Sequence, residues 1–228
     1  MRKGMLELFM GLFMVLMTAL IFYRLNQDLV VSAESTGYVV VLDAGHGGND
    51  PGKVGVDGTL EKDINLSLVY KLKEVLEAAD VTVILTREED HGLYQDSDTN
   101  KKRADMKARC ELIGESQADL VISIHQNSYH DESVKGAQVF YYTGSEEGRS
   151  LAEQIEASLR SVIGEENTRQ AKANSEYYLL LHTSCPTAIV ECGFLSNWEE
   201  AEKLGDEGYQ EKLAWAIHLG VLAYLNGR

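Results

Sequence analysis

The sequence predicts an α/β protein, a single domain folded around a mostly parallel sheet. Three observations predict it. Runs rich in β-branched and apolar residues recur at Val39–Leu42, Val81–Thr86, Asp119–Ile124 and Thr187–Cys192, the pattern of buried strands. Segments with apolar residues at helical spacing alternate with those runs, as in βαβ units. Once residues 1–33 are set aside, about 195 of the 228 residues remain, the length of one ordinary domain.

Residues 1–33 read as a signal peptide or membrane anchor, and residues 34–228 as the folded domain. Arg2 and Lys3 precede an apolar run from Leu8 to Tyr23, and Val31-Ser32-Ala33 would serve as a small-residue cleavage site. The run is apolar on every side, so it does not fit a helix lying on a domain surface. Sixteen residues are long for a signal core and short for a full span, which leaves both readings open. Either way the domain is exported and the basic end stays in the cytoplasm.

The first strand, Val39–Leu42, runs into Asp43-Ala44-Gly45-His46-Gly47-Gly48. A loop follows from Asn49 to Leu60. A helix over Glu61–Ala79 is expected because Ile64, Leu68, Leu72, Val75, Leu76 and Ala79 share one face, with Thr59 as its N-cap. Val81–Thr86 is the second strand, Arg87–Thr99 a polar loop, and Asn100–Glu115 a helix. The third strand, Asp119–Ile124, also ends at a histidine, His125. Gly136–Tyr142 alternates weakly and is expected at a sheet edge. Glu146–Ile163 is helical, with Leu151, Ile155, Leu159 and Val162 on one face. Gly164–Glu176 reads as loop, Tyr177–Leu181 as a short strand, and Thr187–Cys192 as the last clear strand. Helices near Trp198–Leu204 and Tyr209–Leu225 close the chain.

The formal charge is -15, and residues 1–33 carry a net +1, so the folded part holds -16. Such a domain has no electrostatic attraction for nucleic acid or anionic lipid, so membrane contact is expected only through the N-terminal segment. A hydrophobic content of 44% suffices for a sizeable core. Cys110, Cys185 and Cys192 are too widely spaced for a disulfide framework or a C-x-x-C metal site. Cys185 and Cys192 could pair, but buried free thiols fit better.

Parallel strands end at one sheet edge, where α/β proteins build their sites. Three strand ends carry His46, His125 and Glu191, and Glu61 opens the helix that returns from the first strand. Four groups from four segments therefore converge. Two imidazoles and a carboxylate are the protein ligands of many catalytic zinc sites, and a second carboxylate can act as general base. Glu191 is the hardest to explain structurally, because a carboxylate between Val190 and Cys192 in an apolar strand is costly unless paired, hydrogen-bonded or metal-bound. His91, His130, His182 and His218 read as non-ligands, with His182 the one candidate to line the cleft. The loop Gly45–Gly55 lacks a P-loop pattern, since Gly52-Lys53 is followed by Val54.

The combination of Leu42-Asp43-Ala44-Gly45-His46-Gly47-Gly48, Glu61, Ser123-Ile124-His125-x-Asn127 and Val190-Glu191-Cys192-Gly193-Phe194-Leu195-Ser196-Asn197 resembles the zinc-dependent N-acetylmuramoyl-L-alanine amidases. The resemblance spans about residues 38–226. It implies a twisted sheet of about six strands flanked by helices, and hydrolysis of the amide between the muramic acid lactyl group and L-alanine in peptidoglycan. It also implies that one Zn2+ is held by His46, Glu61 and His125, that Glu191 is the catalytic carboxylate, and that Asn127, Arg87 and Arg109 lie in or near the cleft as substrate-binding residues.

A single short domain behind a hydrophobic segment resembles the sporulation branch of that family. Those enzymes act on spore-cortex peptidoglycan as a step toward the muramic-δ-lactam read by germination enzymes. Trp198 stands where the family commonly has proline, and the stretch Gln126–Glu146 has no room for the inhibitory helix of some members. Control by expression or by a protein activator stays open. The same residues leave two rival readings, a zinc peptidase cutting within the stem peptide and a catalytically silent wall-binding scaffold.

Overall fold

The computed structural model describes residues 37–164 and 167–227, together with Met14 and Met17. The expected signal peptide or anchor at residues 1–33 lies, those two methionines apart, outside the described residues. Among the described residues no helix is long and apolar enough to cross a membrane. The unit that carries the fold begins at Gly37.

Six strands form one sheet: β1 (Val39–Ala44), β2 (Thr82–Leu85), β3 (Leu120–Asn127), β4 (Gln138–Tyr142), β5 (Lys172–Asn174) and β6 (Thr187–Phe194). Their order is β2-β1-β3-β6-β4-β5. Every pair is parallel except β4 with β6. The helices are α1 (Glu61–Glu77), α2 (Lys101–Glu115), α3 (Glu146–Ile163), α4 (Tyr178–His182), α5 (Trp198–Gly205) and α6 (Glu207–Asn226). The expected α/β class with a mostly parallel six-stranded sheet is what the chain adopts.

Side-chain parity assigns the two faces of the sheet. Val40, Leu42, Ala44, Leu120, Ile122, Ile124, Ala188, Val190 and Cys192 share a core with apolar residues of α1, α3 and α6. The intervening residues Val41 and Val121 pack with Ile113 of α2 and Leu179 of α4. Asp43, Ser123, His125 and Glu191 have this second parity, so they emerge beside α2 and α4. The chain leaves β1 toward β2 on one side and returns to β3 on the other, which puts a topological switch point between β1 and β3.

Three local expectations need correction. Tyr177–Leu181 is not a strand: Tyr178–His182 forms α4. The Asn174 side chain accepts from the Glu176 and Tyr177 N–H groups and turns the chain there, and five apolar residues are too few for periodicity to separate strand from helix. The sheet edge is β5, inside the stretch read as loop, whereas β4 lies between β5 and β6. Thr59 does not cap α1. Its hydroxyl donates to Asp57, the N-cap position is Leu60, and the Glu61 and Lys62 N–H groups donate to the carbonyls of Lys53 and Pro51. Trp198 is the first residue of α5, capped by Asn197, a position that also suits proline.

Candidate active site

The carboxyl edge at the β1–β3 switch point opens into a cleft of about 470 Å³. It is lined among others by His46, Glu61, His125, Asn127, Arg109 and Glu191. His46 follows β1 in the left-handed region, with φ 64°. Gly45 beside it has no side chain for a reason: a Cβ there would overlap the His125 ring. Gly52 likewise leaves room for Glu61.

Glu61 is 1% exposed and sits between the two histidines. Its Oε1 lies 3.2 Å from His46 Nε2 and 3.0 Å from His125 Nδ1. The same oxygen accepts from the Gln126 backbone N–H, and Oε2 accepts from the Lys53 N–H at 2.7 Å. Burial alone would raise the Glu61 carboxyl, but the histidines against it outweigh burial and hold its pKa well below the usual carboxylate range. Glu61 is therefore an anion at neutral pH.

The donor chemistry fits a cation. His46 Nδ1 lies 2.9 Å from Asp50 Oδ2, an acceptor, so Nδ1 carries a proton and Nε2 is the ring nitrogen turned toward Glu61. A neutral ring in that tautomer would offer its Nε2 lone pair to a cation shared with Glu61 Oε1. One ligand atom from each of His46, Glu61 and His125 lies within 4.8 Å of the others. Two ligands held about 2.0–2.1 Å from a tetrahedral zinc are roughly 3.3 Å apart, close to the spacings found.

Glu191 stands beside this triad. It is 8% exposed, and its Oε2 is enclosed with no hydrogen-bond partner among the described residues. Burial pushes its carboxyl up, and the neighbouring Glu61 charge adds to this against the pull of the histidines. An unsatisfied buried carboxylate oxygen facing a cleft is held there at a cost.

Residues 40–223 match the N-acetylmuramoyl-L-alanine amidase family. The chain belongs to that family. The amidase is 39% identical over 192 residues to the germination-specific N-acetylmuramoyl-L-alanine amidase of Bacillus subtilis (strain 168), covering 83% of this chain and 80% of the relative. It matches the CwlD amidase from Clostridioides difficile, solved in complex with the GerS lipoprotein, at a TM-score of 0.82 and 41% identity, over 84% of this chain and 100% of that one. AmiC2 of Nostoc punctiforme, another N-acetylmuramoyl-L-alanine amidase, matches at a TM-score of 0.73 and 31% identity, over 83% and 97%.

In the amidase, the three strand-end residues and Glu61 at its helix start stand together as their positions predict, and Asn127 lines the same cleft. Of the two arginines expected in or near the cleft, Arg109 lines it and Arg87 does not. Arg87 is 2% exposed, is not among the cleft-lining residues, and donates only to backbone carbonyls. Arg109 reaches the cleft wall, but its guanidinium is bound to Asp43, Asp105, and the Ala44 and His46 carbonyls. His182 is exposed and stacked on Tyr178, which lines the cleft, but is not itself among the lining residues. His218 is buried on α6 against Trp215, and His130 lies against Tyr129 with the two rings tilted by 39°. All three cysteines are free thiols.

Sequence reading missed several groups. Asp50 orients His46, and Asn65 donates to the Gly45 carbonyl while accepting from the Gln126 side chain. Asp50 sits four residues after His46 in a glycine-rich loop, a spacing that could have suggested it. Nothing in the sequence ties Asn65 to Gln126.

Proposed function

We propose that the amidase is zinc-dependent and cleaves the bond between the N-acetylmuramic acid lactyl group and L-alanine in spore-cortex peptidoglycan. The observation that carries this is the convergence of His46 Nε2 and His125 Nδ1 on Glu61 Oε1, with a Glu191 oxygen beside it that has no hydrogen-bond partner among the described residues. His46, Glu61 and His125 would hold the metal. Zinc there supplies Lewis acidity, polarising a carbonyl and making hydroxide available near pH 7.

The chain's own residues do the rest. Asp50 keeps the His46 tautomer that presents Nε2. Glu191, raised by burial, takes a proton from the attacking water and returns it to the departing alanine nitrogen. Asn127 lies in the same wall, in reach of a substrate seated there.

The cortex and germination role rests on the likeness to the germination-specific and CwlD amidases. The complex of CwlD with the GerS lipoprotein supports a protein partner for this chain as well, and an activating role for that partner is part of the proposal. Residues 1–33 serve as the export segment and residues 34–228 as the catalytic domain, which places the activity outside the cytoplasmic membrane, at the wall or cortex.

The test pairs zinc analysis by atomic emission with mass spectrometry of products released from cortex peptidoglycan. One zinc per chain and muramic acid bearing a free lactyl carboxyl are expected. Shortened stem peptides would replace the reading by a peptidase, and zinc without any product would point to a missing activator or a silent scaffold.

A further inference from the structure

The two buried arginines do a job that substrate contact does not describe. The turn that carries His46 exposes three successive carbonyls, of Ala44, Gly45 and His46, and all three are taken by buried side chains. Arg87 donates from Nε to Ala44 O at 2.9 Å and from Nη2 to Gly45 O at 3.2 Å. The same Nη2 donates to Lys62 O at 2.8 Å, next to Glu61. Arg109 donates from Nη1 to Ala44 O at 2.8 Å and from Nη2 to His46 O at 2.7 Å.

Arg87 therefore bridges the residue before His46 to the residue after Glu61. Arg109 ties the His46 carbonyl to Asp43, its ion-pair partner at 2.6 Å, and to Asp105 at 2.7 Å on the other side of the fork. Only a planar guanidinium has the donors to do this, because a lysine ammonium offers a point charge without the fork. The two arginines differ in cost. Arg109 is neutralised by carboxylates, whereas Arg87 has no ion pair among the described residues and is 2% exposed. Burying an unpaired cation is costly, and what it secures here is the spacing of two ligand-bearing segments.

His46 needs such a hold. A residue with a side chain at φ 64° is in a sparsely populated backbone region, and such conformations persist only where the surroundings over-determine them. We propose that Arg87 and Arg109 are positioning residues for the metal site, fixing the left-handed His46 turn against Glu61 so that the ligand atoms stand ready-spaced. The inference rests on the zinc reading above and extends it to two residues outside the proposed ligand set.

The experiment is zinc affinity of the metal-stripped full chain by competition with a chelator, for wild type, Arg109→Lys and Arg87→Lys. Thermal melts of the zinc-free proteins run alongside. Loss of a group that orients metal ligands weakens metal affinity by about 10- to 100-fold, and both variants are expected in that range. A merely structural role would lower the zinc-free melting temperature and leave the affinity of the folded protein unchanged. Affinities within twofold of wild type in folded variants overturn the proposal. Arg87→Lys leaves the Arg109–Asp43 pair intact, so it reports even where Arg109→Lys does not fold. A wild-type chain that takes up no zinc would overturn the metal reading, a result distinct from equal affinities.

Discussion

His125 and Glu191 are register partners across the β3–β6 ladder, so their side chains leave the sheet side by side on the face that carries α2 and α4. The pair divides two duties. His125 turns Nδ1 toward Glu61 Oε1 at 3.0 Å, while Glu191 keeps one oxygen without a hydrogen-bond partner among the described residues. A general base needs a free lone pair near the water it activates, and this is the enclosed carboxylate beside the triad that has one.

Replacing Glu191 by Gln keeps the shape and removes the proposed base. Amide cleavage is expected to fall by about 10²- to 10⁴-fold, the usual worth of general acid–base catalysis, with zinc content unchanged at one per chain. Product release measured against atomic emission on the same sample decides it. Normal turnover in this variant would mean that another group moves the proton.

Gly45 makes a steric prediction. A Cβ at this position would lie 2.2 Å from His125 Cε1, a contact no packing adjustment of the backbone absorbs cheaply. Gly45→Ala is expected to displace the ring, cost about 1–3 kcal/mol as an overpacked site, and lower zinc content together with activity. Gly58→Ala is the control. Its Cβ meets nothing within 4 Å, although φ is 87°, so it should cost some stability and keep its zinc.

How far the sequence reveals the site depends on what each residue needs. His46, His125 and Glu191 are legible because apolar runs announce strands, and parallel strands end at one edge. Glu61 is legible as the first residue of a strongly periodic helix. Arg87 and Arg109 are not legible as clamps, since their partners lie up to 66 residues away and are mostly backbone carbonyls, which leave no trace in side-chain pattern. Strand β5 is hidden for a similar reason. Lys172-Ala173-Asn174 has no apolar alternation and joins the sheet through backbone pairing with Phe140, Tyr141 and Tyr142. The few apolar residues at Tyr177–Leu181 fit either period, and the Asn174 turn decides between them.

The thiols give a simple check on the fold. Cys192 is buried in the core, and burial pushes its thiol well above the ordinary range. Burial likewise raises Cys110, to about 11, and Cys185. Thiolates react and thiols do not, so labelling of the native protein with a thiol reagent at neutral pH should be slow at all three. Unfolding without reductant should expose three reactive groups. A count of one would show that two of the cysteines are paired.

The acid limit of stability should follow Asp43. Its Oδ1 accepts from Arg109 and Thr86, and its Oδ2 from Ser123. Burial pushes the carboxyl up, but Arg109 and the two hydroxyls more than offset this and hold it at about 2, below the ordinary 3.8. A depressed carboxyl contributes stability above its unfolded pKa and loses it as pH falls through the folded one. The contribution is roughly 2 kcal/mol, complete above about pH 4 and lost toward pH 2. Asp43→Asn lacks this dependence. Urea unfolding of both proteins should show a wild-type advantage at pH 6 that narrows between pH 4 and pH 2. A gap that stays constant across that window would mean that Asp43 is not the group whose protonation loosens the core beneath His46.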